Sequence, residues 1–179
     1  KGVVFREPSV VAYKKSSKEV IAFGNEANEM IGKSPDNILV IRPLKDGVIA
    51  DFTATKLMLK VIVSKICRRY KIARPQVVVG VPSGITVVEE RAVEEVGYSV
   101  GAKEVYIMEE TMAAAIGSGI KVDSPEGSMI VDIGGGTTEA AVISLGGIVV
   151  SGAIRLAGED MNKDIVEYVR NKYNVLIGE

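Results

Sequence analysis

The sequence predicts an α/β fold. Near-continuous apolar strands alternate with amphipathic helices between residues 51 and 117, and three consecutive strands with short connections follow between 128 and 154. The 179-residue length, with 47% hydrophobic residues, is enough to bury a core in one or two domains.

Taken in order, Val3 to Phe5 and Ser9 to Tyr13 have strand composition, interrupted at Pro8, and Val20 to Phe23 is a third candidate strand. Residues 14–43 are more polar and shorter in period, which predicts a small insert. Within it Ala27, Met30 and Ile31 suit a short helix capped by Gly32. From Asp51 the period becomes helical: Leu57, Met58, Val61, Ile62, Ile66 and Tyr70 share a face, and Asp51 or Thr53 supplies the N-cap. Gln76 to Val81 is a buried strand. Thr86 and Glu89 then have capping-box spacing at the start of a helix that Gly101 closes. Val105 to Met108 is the next buried strand, followed by a short helix over Thr111 to Ile116. Strands over Ser128 to Asp132, Thr138 to Leu145 and Ile148 to Ile154 precede a helix from about Asp160 to Tyr173. Gly2-Val3-Val4-Phe5 matches Gly147-Ile148-Val149-Val150 in type, which suggests two related halves.

Composition removes several function classes. With 22 Lys+Arg against 23 Asp+Glu the net charge is −1, so no global field draws the chain to nucleic acid. The single cysteine, Cys67, permits no internal disulfide or cysteine metal cluster and suits a reducing cytoplasm. There is no histidine, which excludes imidazole bases, Ser-His-Asp triads and histidine zinc sites within the chain. Carboxylates, hydroxyls and backbone amides remain. Phosphoryl transfer with Mg²⁺ needs little more, since it asks mainly for positioning and charge stabilisation.

The motif that fits this inventory is Asp132-Ile133-Gly134-Gly135-Gly136-Thr137-Thr138-Glu139. Successive glycines let backbone amides approach an anion, because no Cβ intervenes and φ > 0 is cheap. Strand composition on both flanks makes the loop a hairpin, unlike the strand-to-helix glycine loops of Walker and Rossmann sites. At the strand end Asp132 is placed to hold a hydrated Mg²⁺ against phosphate oxygens, with the hydroxyls of Thr137 and Thr138 facing the terminal phosphate. The alternative is a tight glycine hairpin with nothing bound, the reading that suits Gly146-Gly147. A plain hairpin, however, needs neither a third glycine nor an Asp and two Thr around it. Ile31-Gly32-Lys33-Ser34 only imitates the tail of a Walker loop: the first glycine of that pattern falls on Ala27, and Pro35 opposes the required helix.

Several stretches resemble MreB, the bacterial actin family. They are Arg6 to Ala12, Ile41 to Asp51, Gly80-Val81-Pro82-Ser83-Gly84-Ile85-Thr86, Glu109-Glu110-Thr111-Met112-Ala113-Ala114-Ala115-Ile116-Gly117 and Val131 to Glu139. The resemblance implies an incomplete actin-like ATPase fold of ribonuclease-H-like sheets with flanking helices. Residues 1–127 would form the first half without its first strand and phosphate loop, and 128–179 the start of the second. It implies ATP and Mg²⁺ as cofactors. By motif, Asp132 would hold the metal, Gly134, Gly135 and Gly136 would cradle the β- and γ-phosphates, and Glu110 with Thr137 would orient the attacking water. For Glu110 the physics allows a second reading, a favourable charge-dipole contact at a helix N-terminus worth up to about 1 kcal/mol. The family usually has proline where this chain has Thr111, which predicts a looser entry turn and altered hydrolysis.

The resemblance further implies self-association into double protofilaments at the inner face of the cell membrane, with cell-wall elongation and membrane proteins as partners. The whole protein would hydrolyse ATP weakly, and this stretch alone is expected to be inactive. The basic run around Arg68, Arg69 and Ile72 suits peripheral contact with anionic lipid or, equally, a solvated helix end. A heat-shock-chaperone-like or sugar-kinase-like phosphotransferase of the same superfamily is the alternative function.

Overall fold

The computed structural model describes residues 2–67 and 74–178. Arg68, Arg69, Tyr70 and Ile72 lie outside the described residues. The chain divides into two compact units, Lys1–Val79 with Thr86–Ile107, and Gly80–Ile85 with Met108–Glu179.

In the first unit, β1 (Val11–Lys14) is the centre of a three-stranded antiparallel sheet, flanked by β2 (Val20–Phe23) and β3 (Ile38–Ile41). Alternation along β1 explains how both faces are covered. Val10 and Ala12 pack with Ala22, Ala27, Met30 and Val40, on the side of the short α1 (Asn25–Asn28). Val11 and Tyr13 point the other way, to Ala54 and Leu57 of α2 (Phe52–Ile66). The N-cap of α2 is Asp51, whose Oδ1 accepts the Ala54 amide at 2.8 Å. Between β3 and α2 runs a two-strand ribbon, β4 (Leu44–Lys45) and β5 (Val48–Ile49).

After α2, β6 (Gln76–Val81) leads to α3 (Val87–Ser99), which begins with the Thr86/Glu89 capping box that the spacing predicts. α3 returns the chain to β7 (Glu104–Glu109), which pairs with β6. Two expectations fail at the start of the chain. Val3 to Phe5 form no strand; Val3 and Val4 are exposed, and the segment is held by stacking of Phe5 on Phe23 at 5.9 Å. An extended run with no partner cannot satisfy its ladder groups, whatever its composition. The helix before Gly32 is also shorter than expected, ending at Asn28 with Gly32 in the following turn.

In the second unit, α4 (Glu110–Gly117) packs on a second antiparallel sheet of order β10-β9-β8, formed by β8 (Ser128–Ile133), β9 (Thr138–Ser144) and β10 (Gly147–Ile154). Register sets its faces. Ser128 lies opposite Ile143, Ile130 opposite Ala141 and Asp132 opposite Glu139, so one face carries both the buried apolar row and two acids. Met129, Val131 and Ile133 take the opposite parity and are exposed. The β9–β10 turn is centred on Leu145 (φ 52°) and Gly146 (φ 78°), one residue earlier than the expected Gly146-Gly147. α5 (Gly158–Tyr173) follows β10, two residues earlier than its expected start.

Candidate functional site

The predicted glycine loop is the hairpin between β8 and β9, and all the site residues lie in the second unit. None of Gly134, Gly135 and Gly136 has positive φ, so glycine is not required here for a left-handed backbone. Close approach is the better reason. The Gly134 amide donates to the Thr137 carbonyl at 2.9 Å, and a Cβ on Gly134 would stand 3.3 Å from that same oxygen. Because the Gly134 donor closes the turn, the amides this loop can present to an anion lie at Gly135, Gly136 and Thr137.

The loop is also built from behind. The amides of Gly158 and Glu159 donate to the carbonyls of Gly134 and Gly135 at 3.1 and 2.9 Å, which sets the first turn of α5 on the hairpin. A Cβ on Gly158 would meet the Gly134 carbonyl at 3.2 Å, so any larger residue there would crowd this contact. Thr138 donates its hydroxyl to the Leu156 carbonyl at 2.7 Å, anchoring the strand to the entry of α5. Its proton is therefore committed to backbone. Thr137 is buried, its side chain on the loop side of the turn.

Three carboxylates converge beside this hairpin. Asp132 and Glu139 are cross-strand partners, Asp132 half-buried and Glu139 2% exposed. Glu110, the first residue of α4, faces both. Burial, and then the charges of Glu139 and Asp132, push its carboxyl above the ordinary carboxylate range. The N-terminus of α4 acts in the opposite direction, favouring the ionised form. Gly80 makes room for this side chain: a Cβ there would stand 3.2 Å from Glu110 Cγ.

Ser83, Glu109, Glu139 and Gly158 were not singled out from the sequence. Ser83 donates its amide to Glu139 Oε2 at 3.2 Å and its hydroxyl to Glu109 Oε2 at 2.5 Å. A signal for Glu139 was present. It occupies the parity of Ala141 and Ile143, the buried row of an alternating strand, where a carboxylate needs a reason to be.

The donor set fits a nucleotide with hydrated Mg²⁺ better than a bare metal cage. Among the described residues no group of three or more acidic side chains is close enough to enclose an ion directly. Mg²⁺ ordinarily takes one or two carboxylates and completes its shell with water and phosphate, which asks of the protein only Asp132 and a nearby anion cradle. Buried hydrogen-bonding capacity is left over as well, at Glu139 Oε1, which has no partner.

This architecture is that of the actin-like ATPase class: an MreB5 crystal structure from Spiroplasma citri with ADP superposes at TM-score 0.89 and 43% identity, over 99% of this chain and 53% of that one. The MamK double helical filament shares the fold at TM-score 0.77 and 22% identity, over 96% of this chain and 54% of that one. The MreB/Mbl protein family profile matches residues 1–179, and the chain belongs to that family. It is 48% identical to the cell shape-determining protein Mbl of Bacillus subtilis (strain 168) over 100% of this chain and 54% of that protein. Identity to the cell shape-determining protein MreB of Escherichia coli (strain K12) is 49%, over 99% of this chain and 53% of that protein. The chain thus spans about half the length of the curated relatives it matches.

Proposed function

We propose that the protein carrying this chain is an ATP-binding, filament-forming bacterial actin that maintains rod shape by organising cell-wall synthesis beneath the membrane. Residues 1–127 belong to its first actin-like half and 128–179 open the second. The observation that carries the reading is the Asp132/Glu139/Glu110 carboxylate set beside the glycine hairpin. Family membership and the nucleotide-bound MreB5 relatives support it.

In this reading Gly134 shapes the hairpin, and the amides of Gly135 and Gly136 take the β- and γ-phosphate oxygens. Asp132 would hold Mg²⁺, and the ion would supply charge neutralisation for phosphoryl transfer. Glu110 accepts a hydrogen bond from the attacking water, and Thr137 fixes the other side of that water. A carboxyl whose proton affinity is raised can also take the water's proton as the new P–O bond forms and the bond from the γ-phosphorus to the bridging oxygen breaks, releasing ADP. Thr138 serves by tying β9 to α5 rather than through a free hydroxyl proton.

No helix among the described residues is long and apolar enough to cross a membrane. The contact we assign is peripheral, between anionic lipid and the basic run at Arg68, Arg69 and Ile72. Flotation of the full-length protein with anionic vesicles should fall when Arg68 and Arg69 are reversed in charge.

The decisive experiment on the whole proposal is sedimentation and electron microscopy of the full-length protein with Mg-ATP, beside nucleotide titrations of wild type and Asp132→Ala. Ordered polymers, and loss of Mg-dependent affinity in the variant, are expected. Unchanged affinity in Asp132→Ala, or a nucleotide-bound crystal structure with the 134–137 hairpin empty, would overturn it.

A further inference from the structure

Glu109 is the N-cap residue of α4, yet its side chain makes no capping bond to its own helix. It reaches instead to Ser83, in the turn that follows β6, and accepts the Ser83 hydroxyl at 2.5 Å. From the same residue the Ser83 amide donates to Glu139, on β9, at 3.2 Å. One turn residue therefore places both of its donors on two carboxylates that come from different elements. Glu139 is 2% exposed and its other oxygen has no partner, so among the described residues the Ser83 amide is the one hydrogen-bond donor to its carboxylate. Three residues before Ser83, Gly80 leaves room for Glu110, since a Cβ there would stand 3.2 Å from Glu110 Cγ. The segment from Gly80 to Ser83 thus makes space for one member of the Glu109-Glu110 pair and hydrogen-bonds the other.

We propose that Ser83 is a positioning residue: by bridging Glu109 to Glu139 it locks the first turn of α4 against β9, so that Glu110 projects toward Asp132 and Glu139 with one orientation. The inference rests on the proposed role of Glu110 in ATP hydrolysis. Its physical basis is that a reacting group gains rate from being held near its productive geometry before the reaction. Charge-assisted bonds to carboxylates suit the task because they are short, directional and stronger than neutral ones. A residue with a side-chain hydroxyl is required because the task needs a main-chain and a side-chain donor from one position.

The test uses the full-length protein with Ser83→Ala, Ser83→Thr and Glu109→Ala, measured by single-turnover hydrolysis, nucleotide titration and hydrogen exchange without nucleotide. Ser83→Ala should slow hydrolysis about tenfold, the scale of losing an outer positioning partner, while nucleotide affinity stays within about twofold. Ser83→Thr, which keeps both donors, should restore the rate. The double variant Ser83→Ala/Glu109→Ala should be no slower than the slower single variant, since both remove the same bond. In the exchange experiment Ser83→Ala should deprotect the amides of Ala113 and Ala114, the first helical donors of α4, and leave α3 unchanged.

Equal loss in Ser83→Ala and Ser83→Thr, additive losses in the double variant, or unaltered exchange in α4 would overturn the bridge. Should Ser83→Ala fail to fold, Glu109→Ala reads the same bond from its other end. Should the wild-type protein hydrolyse no ATP, the proposed function falls, and the exchange result alone then decides whether Ser83 positions α4.

Discussion

Asp132 and Glu139 stand directly opposite each other across the β8–β9 ladder, on the face that α4 covers. Like charges at opposed positions repel, so in the absence of a cation this pair lowers stability. Asp132→Asn should therefore raise the unfolding free energy of the nucleotide-free protein by about 0.5 kcal/mol, within the range for cross-strand pairs. The same substitution should weaken Mg-nucleotide binding about tenfold or more. Denaturant unfolding without Mg²⁺ and nucleotide titration with it give the two numbers. A variant that is both less stable and unimpaired in binding would remove Asp132 from the site.

Glu110 makes a pH prediction whose sign is opposite to that of a salt-bridged carboxylate. Its folded-state proton affinity is raised, so between the ordinary value near 4.5 and the raised one the folded state binds more protons than the unfolded state. Stability then falls as pH rises through that window, and the deficit persists at neutral pH. Glu110→Gln should abolish this slope: its unfolding midpoint should match wild type at acidic pH and exceed it at pH 7. Hydrolysis by the full-length variant should drop at least about 100-fold, with affinity retained, as for loss of a general base. A midpoint difference that is constant with pH would mean that Glu110 is ionised as freely as a surface glutamate.

Much of this fold was legible because its signals are local. The Asp51 cap, the Thr86/Glu89 box and the limits of β6 and β8–β10 follow from residue type and spacing, and each appears within a residue or two of its expected place. Val3 to Phe5 failed because strand formation depends on a partner, which composition does not encode. The hairpin and Asp132 were legible as a motif. The reach of Ser83 to Glu109 and Glu139 was not, since it joins residues 26 and 56 positions apart. The Leu145-Gly146 turn was misplaced for a subtler reason: leucine opposes a positive φ, and it is held there by the ladder register and by the Leu145 and Gly146 amides donating to the Ser124 and Val122 carbonyls.

A packing prediction concerns the first unit. Gly97 of α3 lies where a Cβ would approach Val105 Cγ2 of β7 to 2.6 Å and Cγ1 to 3.2 Å. Both residues are buried, so neither can yield into solvent. Alanine has the better helix propensity, by up to about 1 kcal/mol, yet overpacking at this distance costs about 1–3 kcal/mol. Gly97→Ala should therefore destabilise, and the paired Gly97→Ala/Val105→Ala variant should recover part of the loss. Thermal unfolding of the three proteins checks it; a stabilised single variant would show that helix propensity dominates at this position.

Thr111 is fully buried at the second position of α4, next to Glu110, and its hydroxyl has no hydrogen-bond partner. An unmade buried hydrogen bond costs about 1–3 kcal/mol, whereas valine has nearly the same shape without the polar atom. Thr111→Val should accordingly stabilise the protein by about 1 kcal/mol in denaturant unfolding. Thr111→Pro separates packing from backbone constraint. First-turn amides have no intrahelical acceptor, so proline removes no helical hydrogen bond there while fixing φ. If a loosely held entry turn limits Glu110, the proline variant of the full-length protein should hydrolyse ATP faster, and the valine variant should run at the wild-type rate. Equal rates in all three would show that the bridge to Ser83, and not the residue after Glu110, sets the orientation of this turn.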